Sequence, residues 1–440
     1  MKTLEVPRWS RRQFVRTGAA AFAAGAVGLS SMEALAQAAS HVSSKITDVQ
    51  TMTVGGATTR TFVLVKITSD DGHVGIAEAY GSPGVGVADQ IMAIKPTLIG
   101  RNPLEIDAIY MTLGDGANSL AGVRTDGSAH GLMRAASGIE MALWDLAGKI
   151  LDTPTSILLG GRFRDRVRVY DHSGPRDMFD KASCREWAAK VRAHPSGFTA
   201  HKISIPRTDS IWTPNSKRVT DNGKDPGNRF LTTKEVVRVA EGFNNIREAI
   251  GWEHDIMAHA HWEYDLPSSL RLADALADMK PLWLEDPLPV DYTNSWHELV
   301  MKSPVPILMG ENLTRREGFR PFIVNQGTQF VNPDLRNSGG FLETKRIADM
   351  AALYGIPMTL HNSASALHTY QACQWASSIR DFVIAETFVG EGDWRDAMIK
   401  VDGPLIEKGY IKVSNRAGTG VELNREVVEQ NLAPGETWWG

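Results

Sequence analysis

Cysteine is the first scarcity. Cys184 and Cys373 are the only two in 440 residues, which rules out a disulfide framework. Both fall in predicted helices and read as packed thiols. Long apolar runs are missing as well. The most apolar stretch near the N-terminus, Thr17 to Ser31, is rich in Ala and Gly and is too short and too weakly apolar to be a spanning helix. An excess of positive charge is also absent: 47 Lys and Arg stand against 51 Asp and Glu, a net of −4, which argues against nucleic acid as a partner. No Lys-Ser/Thr follows the glycine-rich stretch Gly81 to Gly86, so it reads as a mobile loop rather than a phosphate cradle. With 42% hydrophobic and 22% charged residues, the chain is neither disordered nor a polytopic membrane protein.

What is present begins with an address. Ser10-Arg11-Arg12-Gln13-Phe14-Val15, the mildly apolar segment behind it, and Ala34-Leu35-Ala36 or Ala36-Gln37-Ala38 have the order of a twin-arginine signal with its cleavage sites. Residues 1–38 are accordingly set aside as a signal peptide, and a periplasmic or otherwise exported location in a bacterium is expected. That segment carries five Lys/Arg against two Glu, so the remainder has a net charge of −4 − 3 = −7. A route that exports folded proteins, often with a cofactor already inserted, suits a metal site.

The chain then divides. From Ser44 to Glu78, alternating stretches such as Thr61–Ile67 predict antiparallel strands, and the 3-4 spacing of His130 to Leu151 predicts a helix. Beyond Val167 the pattern becomes a repeat. His259, Glu285, Glu311, Asp334, His361 and Glu386 are separated by 26, 26, 23, 27 and 25 residues, and each ends a short apolar run. A strand, a turn, a helix and a second turn take about 25 residues, so these are βα units with six ionisable side chains at one end of successive parallel strands. With Val167–Tyr170 and Phe198–Ile205 the strands number eight. On the second of these, alternation places Ala200, Lys202 and Ser204 on one face and His201, Ile203 and Ile205 on the other. Putting Lys202 inward leaves the isoleucines against helices and gives His201 no role. Pro206 to Leu231 has no period and reads as an inserted loop over the barrel mouth. The expected domains are 44–165, 166–398 and a 399–440 tail that packs back on the first.

These residues resemble a known family. Ala136 to Leu146, Leu158-Leu159-Gly160-Gly161, Trp283-Leu284-Glu285-Asp286-Pro287, Gly310-Glu311-Asn312, Asn332-Pro333-Asp334 with Gly339-Gly340, His361 and Glu386 are similar to the motifs of the enolase superfamily, in its mandelate racemase and sugar-acid dehydratase branch. The resemblance implies a modified TIM barrel, (β/α)7β, with an N-terminal α+β capping domain completed by the C-terminal tail. It implies a divalent metal, magnesium in the first place, and removal of the proton α to a carboxylate, the metal stabilising the enediolate so that a His or Lys base suffices.

Carried over residue by residue, the resemblance makes His259, Glu285 and Glu311 metal ligands. His361 is the base and Asp334 its dyad partner, while Glu386 bonds the substrate carboxylate or enediolate. Lys202 binds the substrate, and His261 is a candidate second acid/base. His172, at the end of the first barrel strand, either contacts substrate or bonds structurally.

Two positions depart from the family. His259 stands where an Asp is usual, which lowers the ligand charge from about −3 to −2 and opens the site to manganese or another transition metal. Ser204 replaces the second Lys of Lys-x-Lys, which argues against a two-base racemase and leaves Ser204 as a substrate contact. The expected activity is dehydration of an aldonate-type sugar acid to a 2-keto-3-deoxy acid by a homo-oligomer. An epimerase or cycloisomerase using the same chemistry, or a non-catalytic exported sugar-acid-binding protein, are the alternatives.

Overall fold

The computed structural model describes residues 43–55, 61–81, 86–119, 128–205, 229–390 and 393–439, with the side chains of 114–119 and 128–131 left aside. The signal peptide expected over 1–38 and the loop expected over 206–231 thus lie outside the described residues, apart from 229–231. The chain starts with an antiparallel meander, β1 (Ile46–Val54), β2 (Phe62–Ser69) and β3 (Val74–Ala79). Against it pack α1 (Val87–Leu98) and α3 (Ser128–Ile150), and α2 (Ile106–Ser119) packs on α3. Gly75 explains how closely α3 approaches the sheet: a Cβ there would lie 2.1 Å from the Ala142 carbonyl oxygen.

Eight parallel strands then close on themselves: β4 (Arg166–Asp171), β5 (Ala200–Ser204), β6 (Asp255–His259), β7 (Leu284–Glu285), β8 (Ile307–Met309), β9 (Phe330–Val331), β10 (Met358–Leu360) and β11 (Phe382–Thr387), with β11 pairing β4. Between them run α4 (Lys181–Ala193), α5 (Thr233–Ile250), α6 (Leu266–Leu276), α7 (Asn294–Lys302), α8 (Arg315–Val324), α9 (Gly340–Leu353) and α10 (Ala366–Ser377). This is the expected (β/α)7β barrel with its α+β cap. Local chemistry supports the helices: α5 opens on a capping box between Thr232 and Glu235, and α6 on Asp265, which accepts from the Ser268 amide, each satisfying amides with no partner inside the helix. Cys184 and Cys373 are free and buried.

The tail divides its contacts. β12 (Ile399–Lys400) pairs with β14 (Glu422–Leu423), and β13 (Tyr410–Lys412) lies antiparallel to barrel strand β4. Further on, Leu432 bridges Val54 of β1 and the Ala433 amide donates to the Thr53 carbonyl, so part of the tail joins the barrel and part joins the cap sheet. Among the described residues no helix is long and apolar enough to cross a membrane.

Candidate active site

Tyr170, Ala200, Met257, Trp283, Leu308 and Ile384 form a separate apolar cluster inside the barrel. Side chains along a strand repeat on one face every second residue. Two positions beyond five of these six come His172, Lys202, His259, Glu285 and Glu386, so an apolar floor and a polar layer follow from one alternation. The remaining strand, β8, breaks the rule, because two residues past Leu308 is Gly310. There φ is +141°, and a Cβ would lie 2.9 Å from the Phe319 ring and 3.1 Å from the Asn332 nitrogen. The turn at Gly310 brings the next residue, Glu311, to the site instead.

Lys202 is almost wholly buried and sits between two carboxylates, with Nζ 2.6 Å from Glu386 Oε1 and 3.1 Å from Glu285 Oε1. Burial works to lower its pKa, but Glu285, Glu386 and Glu311 outweigh burial and raise it. A permanently protonated Lys202 suits charge pairing and not proton abstraction. Glu386 is pulled the other way. Burial favours its neutral form, yet Lys202 and His361 hold it well below the usual carboxylate range.

The dyad has the expected geometry. His361 Nδ1 lies 2.9 Å from Asp334 Oδ2, and its Nε2 faces Glu311 Oε2 at 3.5 Å and Glu386 Oε2 at 3.7 Å. Burial opposes the imidazolium, but Glu311, Glu386 and Asp334 together push the His361 pKa up to about 9. Asp334 is not held by His361 alone. Arg336 donates from Nε and Nη2 to Asp334 at 3.1 and 2.7 Å, and from Nη1 to Glu78 Oε1 of β3 at 2.6 Å. Glu78 and Arg336 escaped the sequence reading because one comes from the capping domain and the other is two residues past a strand end.

His259 is buried, with neither ring nitrogen hydrogen-bonded. Burial, with His261 and Lys202 nearby, drives its pKa well below the ordinary value, which leaves the neutral imidazole that a metal ligand needs. Its Nε2 is 3.7 Å from Glu285 Oε1 and 3.9 Å from Glu311 Oε2. His259, Glu285, Asp286 and Glu311 each offer a ligand atom, all within 4.8 Å of one another. Orphaned nitrogens beside carboxylates fit a divalent cation. Asp286 was quoted in the Glu-Asp-Pro motif without a role. A count of ligand charge would have pointed to it.

His261 is expected on the same strand face as His259, and here the structure differs in detail. β6 ends at His259, and His261 has a left-handed φ of +53°, so strand alternation no longer applies. The turn still brings the two rings together, with centroids 3.6 Å apart. His172 Nε2 is 2.9 Å from Ser204 Oγ, and its Nδ1 is 3.5 Å from Glu386 Oε1, so His172 and Ser204 form a pair on the rim. His201 points outward, between Asp171 and His254 at 2.5 and 2.9 Å.

Comparison with known proteins identifies the family. Residues 184–427 match the family model described as enolase C-terminal domain-like, and residues 36–160 match that of the mandelate racemase / muconate lactonizing enzyme N-terminal domain. The chain belongs to the enolase superfamily. Within this superfamily it falls in the mandelate racemase branch. It is 34% identical to a D-xylonate dehydratase of Haloferax volcanii over 89% of this chain and 90% of that protein. It is 28% identical to a D-galactarolactone cycloisomerase of Agrobacterium fabrum, over 85% and 92% respectively. The crystal structure of a mandelate racemase/muconate lactonizing enzyme-like protein from Rubrobacter xylanophilus superposes with a TM-score of 0.80 at 30% identity, covering 90% of this chain and all of that one. Members of the superfamily use a divalent metal, and the buried His and carboxylate group is where this chain could hold one.

Proposed function

We propose that this superfamily member is a metal-dependent hydro-lyase that converts an aldonate-type sugar acid into its 2-keto-3-deoxy acid. The observation that carries the reading is the placement of His361: Nδ1 is fixed by Asp334, and Nε2 faces the carboxylates Glu311 and Glu386 beside the candidate metal group. Similarity to a D-xylonate dehydratase over nearly the whole chain supports the reaction class.

His259, Glu285 and Glu311 would hold the cation, magnesium or, given the His259 nitrogen, manganese or another transition metal. Such an ion would supply Lewis acidity at the substrate carboxylate, which acidifies the α-proton. His361 Nε2 takes that proton from C2, and Asp334 supports the imidazolium that results. Lys202 and Glu386 hold the substrate carboxylate end, and His172 with Ser204 contacts the polyol. The C3 hydroxyl leaves as water after receiving a proton from His361, since burial and Lys202 lower the His261 pKa to about 3 and keep that ring neutral, and the enol left behind tautomerises to the 2-keto acid. One base is enough for this elimination, in keeping with Ser204 in place of a second lysine.

We further propose that residues 1–38 direct the protein to the periplasm by the twin-arginine route and that it works as a homo-oligomer. The order of the Ser10–Val15 motif, apolar segment and cleavage sites supports the first. Changing Arg11 and Arg12 to Lys should leave the protein in the cytoplasmic fraction.

The central test is incubation with a panel of aldonates in heavy water with magnesium, manganese or zinc. Appearance of a 2-keto-3-deoxy acid is the expected result. Deuterium at C2 without loss of water identifies an epimerase or cycloisomerase, the reading favoured by the galactarolactone relative. Binding with no exchange under any metal identifies a non-catalytic sugar-acid-binding protein. His361→Asn should lower exchange by about 10²-fold or more; unchanged turnover would remove His361 from the role of base.

A further inference from the structure

Asp286 is the residue the site has not used. It is fully buried; the Gly310 amide leans toward its carboxylate, but neither oxygen receives a hydrogen bond of good geometry and no side chain donates to it. It forms no ion pair among the described residues. A buried carboxylate in that state is costly whether charged or neutral, since the neutral acid also leaves its O–H without an acceptor. Yet the backbone goes out of its way to turn the side chain toward the site. Glu285 faces the barrel interior, so on a continuing strand Asp286 would face the helices. Instead β7 stops at Glu285, and Asp286 takes a left-handed φ of +47°, a conformation that non-glycine residues seldom adopt and Asp tolerates better than most. Its amide donates to the Leu308 carbonyl at 2.9 Å, and its carbonyl accepts from the Trp262 amide at 2.5 Å. Two consecutive carboxylates thus reach one cluster with His259 and Glu311.

The charge count gives this placement a purpose. Neutral His259 with Glu285 and Glu311 carries −2, and Asp286 makes it −3, the charge of an all-carboxylate triad. We propose that Asp286 is a fourth protein ligand of the divalent cation, supplying the carboxylate that His259 displaces from the usual set. The inference rests on the metal-dependent reading of the same site, but its consequences are read in metal binding rather than turnover. One nitrogen and three carboxylates form a set that suits manganese or zinc better than magnesium.

The first measurement is calorimetric titration of the metal-free full chain with manganese chloride, for the wild type, Asp286→Asn, His259→Asp and the double variant. Asp286→Asn should weaken manganese binding at least tenfold. In the His259→Asp background, where a carboxylate has been restored at 259, the same change should cost less than threefold. A further sign separates ligation from a structural role. In EDTA, Asp286→Asn should be at least as heat-stable as the wild type, because it removes a buried carboxyl group crowded by Glu311 and Glu285. Manganese affinity within twofold of wild type, or an equal loss in both backgrounds, overturns the proposal. If the variants do not fold, anomalous diffraction from manganese-soaked wild-type crystals decides: a metal within about 2.6 Å of an Asp286 oxygen supports the assignment, and one beyond coordination reach of both oxygens overturns it. Manganese bound without Asp286 in an active dehydratase sinks this inference alone. No binding of manganese, zinc or magnesium by the wild type sinks it together with the metal-dependent function.

Discussion

Arg336 shows what a single side chain contributes here. Its guanidinium is buried between Asp334 and Glu78, and those two carboxylates outweigh burial to keep it charged. Replacing it with Met would leave Glu78 buried without a counter-ion, holding only the Ser365 amide, and Asp334 with His361 as its one remaining charged partner. The expected cost is about 3–5 kcal/mol, the range seen when one member of a buried ion pair is removed. It should appear as a lower denaturant midpoint with an unchanged slope in urea unfolding. Residues of this kind were not legible in the sequence. Glu285, Glu311, Asp334, His361 and Glu386 were, because each closes an apolar run at a regular interval. Glu78, Asp286 and Arg336 reach the site from another domain or beyond a strand end, where neither interval nor alternation gives a sign.

The same division holds for the elements. All eight barrel strands were legible, and so was the helix expected over His130 to Leu151, which is α3. Strand lengths were not: the stretch Phe198–Ile205 yields only the ladder Ala200–Ser204 in β5. Apolar pattern records burial, and chain on either side of a ladder can be buried without pairing. The turns that follow the strands are therefore where side-chain direction is decided, and Gly310 is the sharpest case. Gly310→Ala forces a Cβ into a positive-φ turn against the Phe319 ring and Asn332 backbone. It should destabilise the fold by about 1–3 kcal/mol and shift Glu311 enough to weaken manganese binding. Thermal melts with and without manganese read the two effects separately, and a variant with wild-type Tm and affinity would show that the turn does not aim Glu311.

For the whole molecule, buried charge links pH to stability. Burial raises the Glu311 pKa to about 7 despite His361 and Lys202, and His361, which burial would lower, is raised to about 9 by Glu311, Glu386 and Asp334. A folded-state pKa above the unfolded value, about 4.3 for Glu and 6.5 for His, gives stability that is present at low pH and lost as pH rises through the folded value. For Glu311 that loss runs from about pH 4.5 to 7 and for His361 from about 6.5 to 9. The metal-free protein should therefore show a falling Tm between pH 7 and 9. Saturating manganese should flatten the slope by compensating Glu311 and weakening its pull on His361. A metal-free Tm that is constant or rises over that range contradicts this account.

The bridge from Leu432 to Val54 and the bond from Ala433 to Thr53 also bear on the order in which the chain can be made and folded. A ribosome synthesises β1 early, and Gly100 and Arg101 soon cover its Ile46 end, but the segment that covers its Thr53–Gly55 end does not exist until residue 433 has been added. Throughout translation that strand edge stays open to pairing with other chains. Folding of the cap therefore finishes after synthesis rather than during it, and a chaperone that shields the nascent N-terminal region should raise the yield of native protein more than one acting on the barrel.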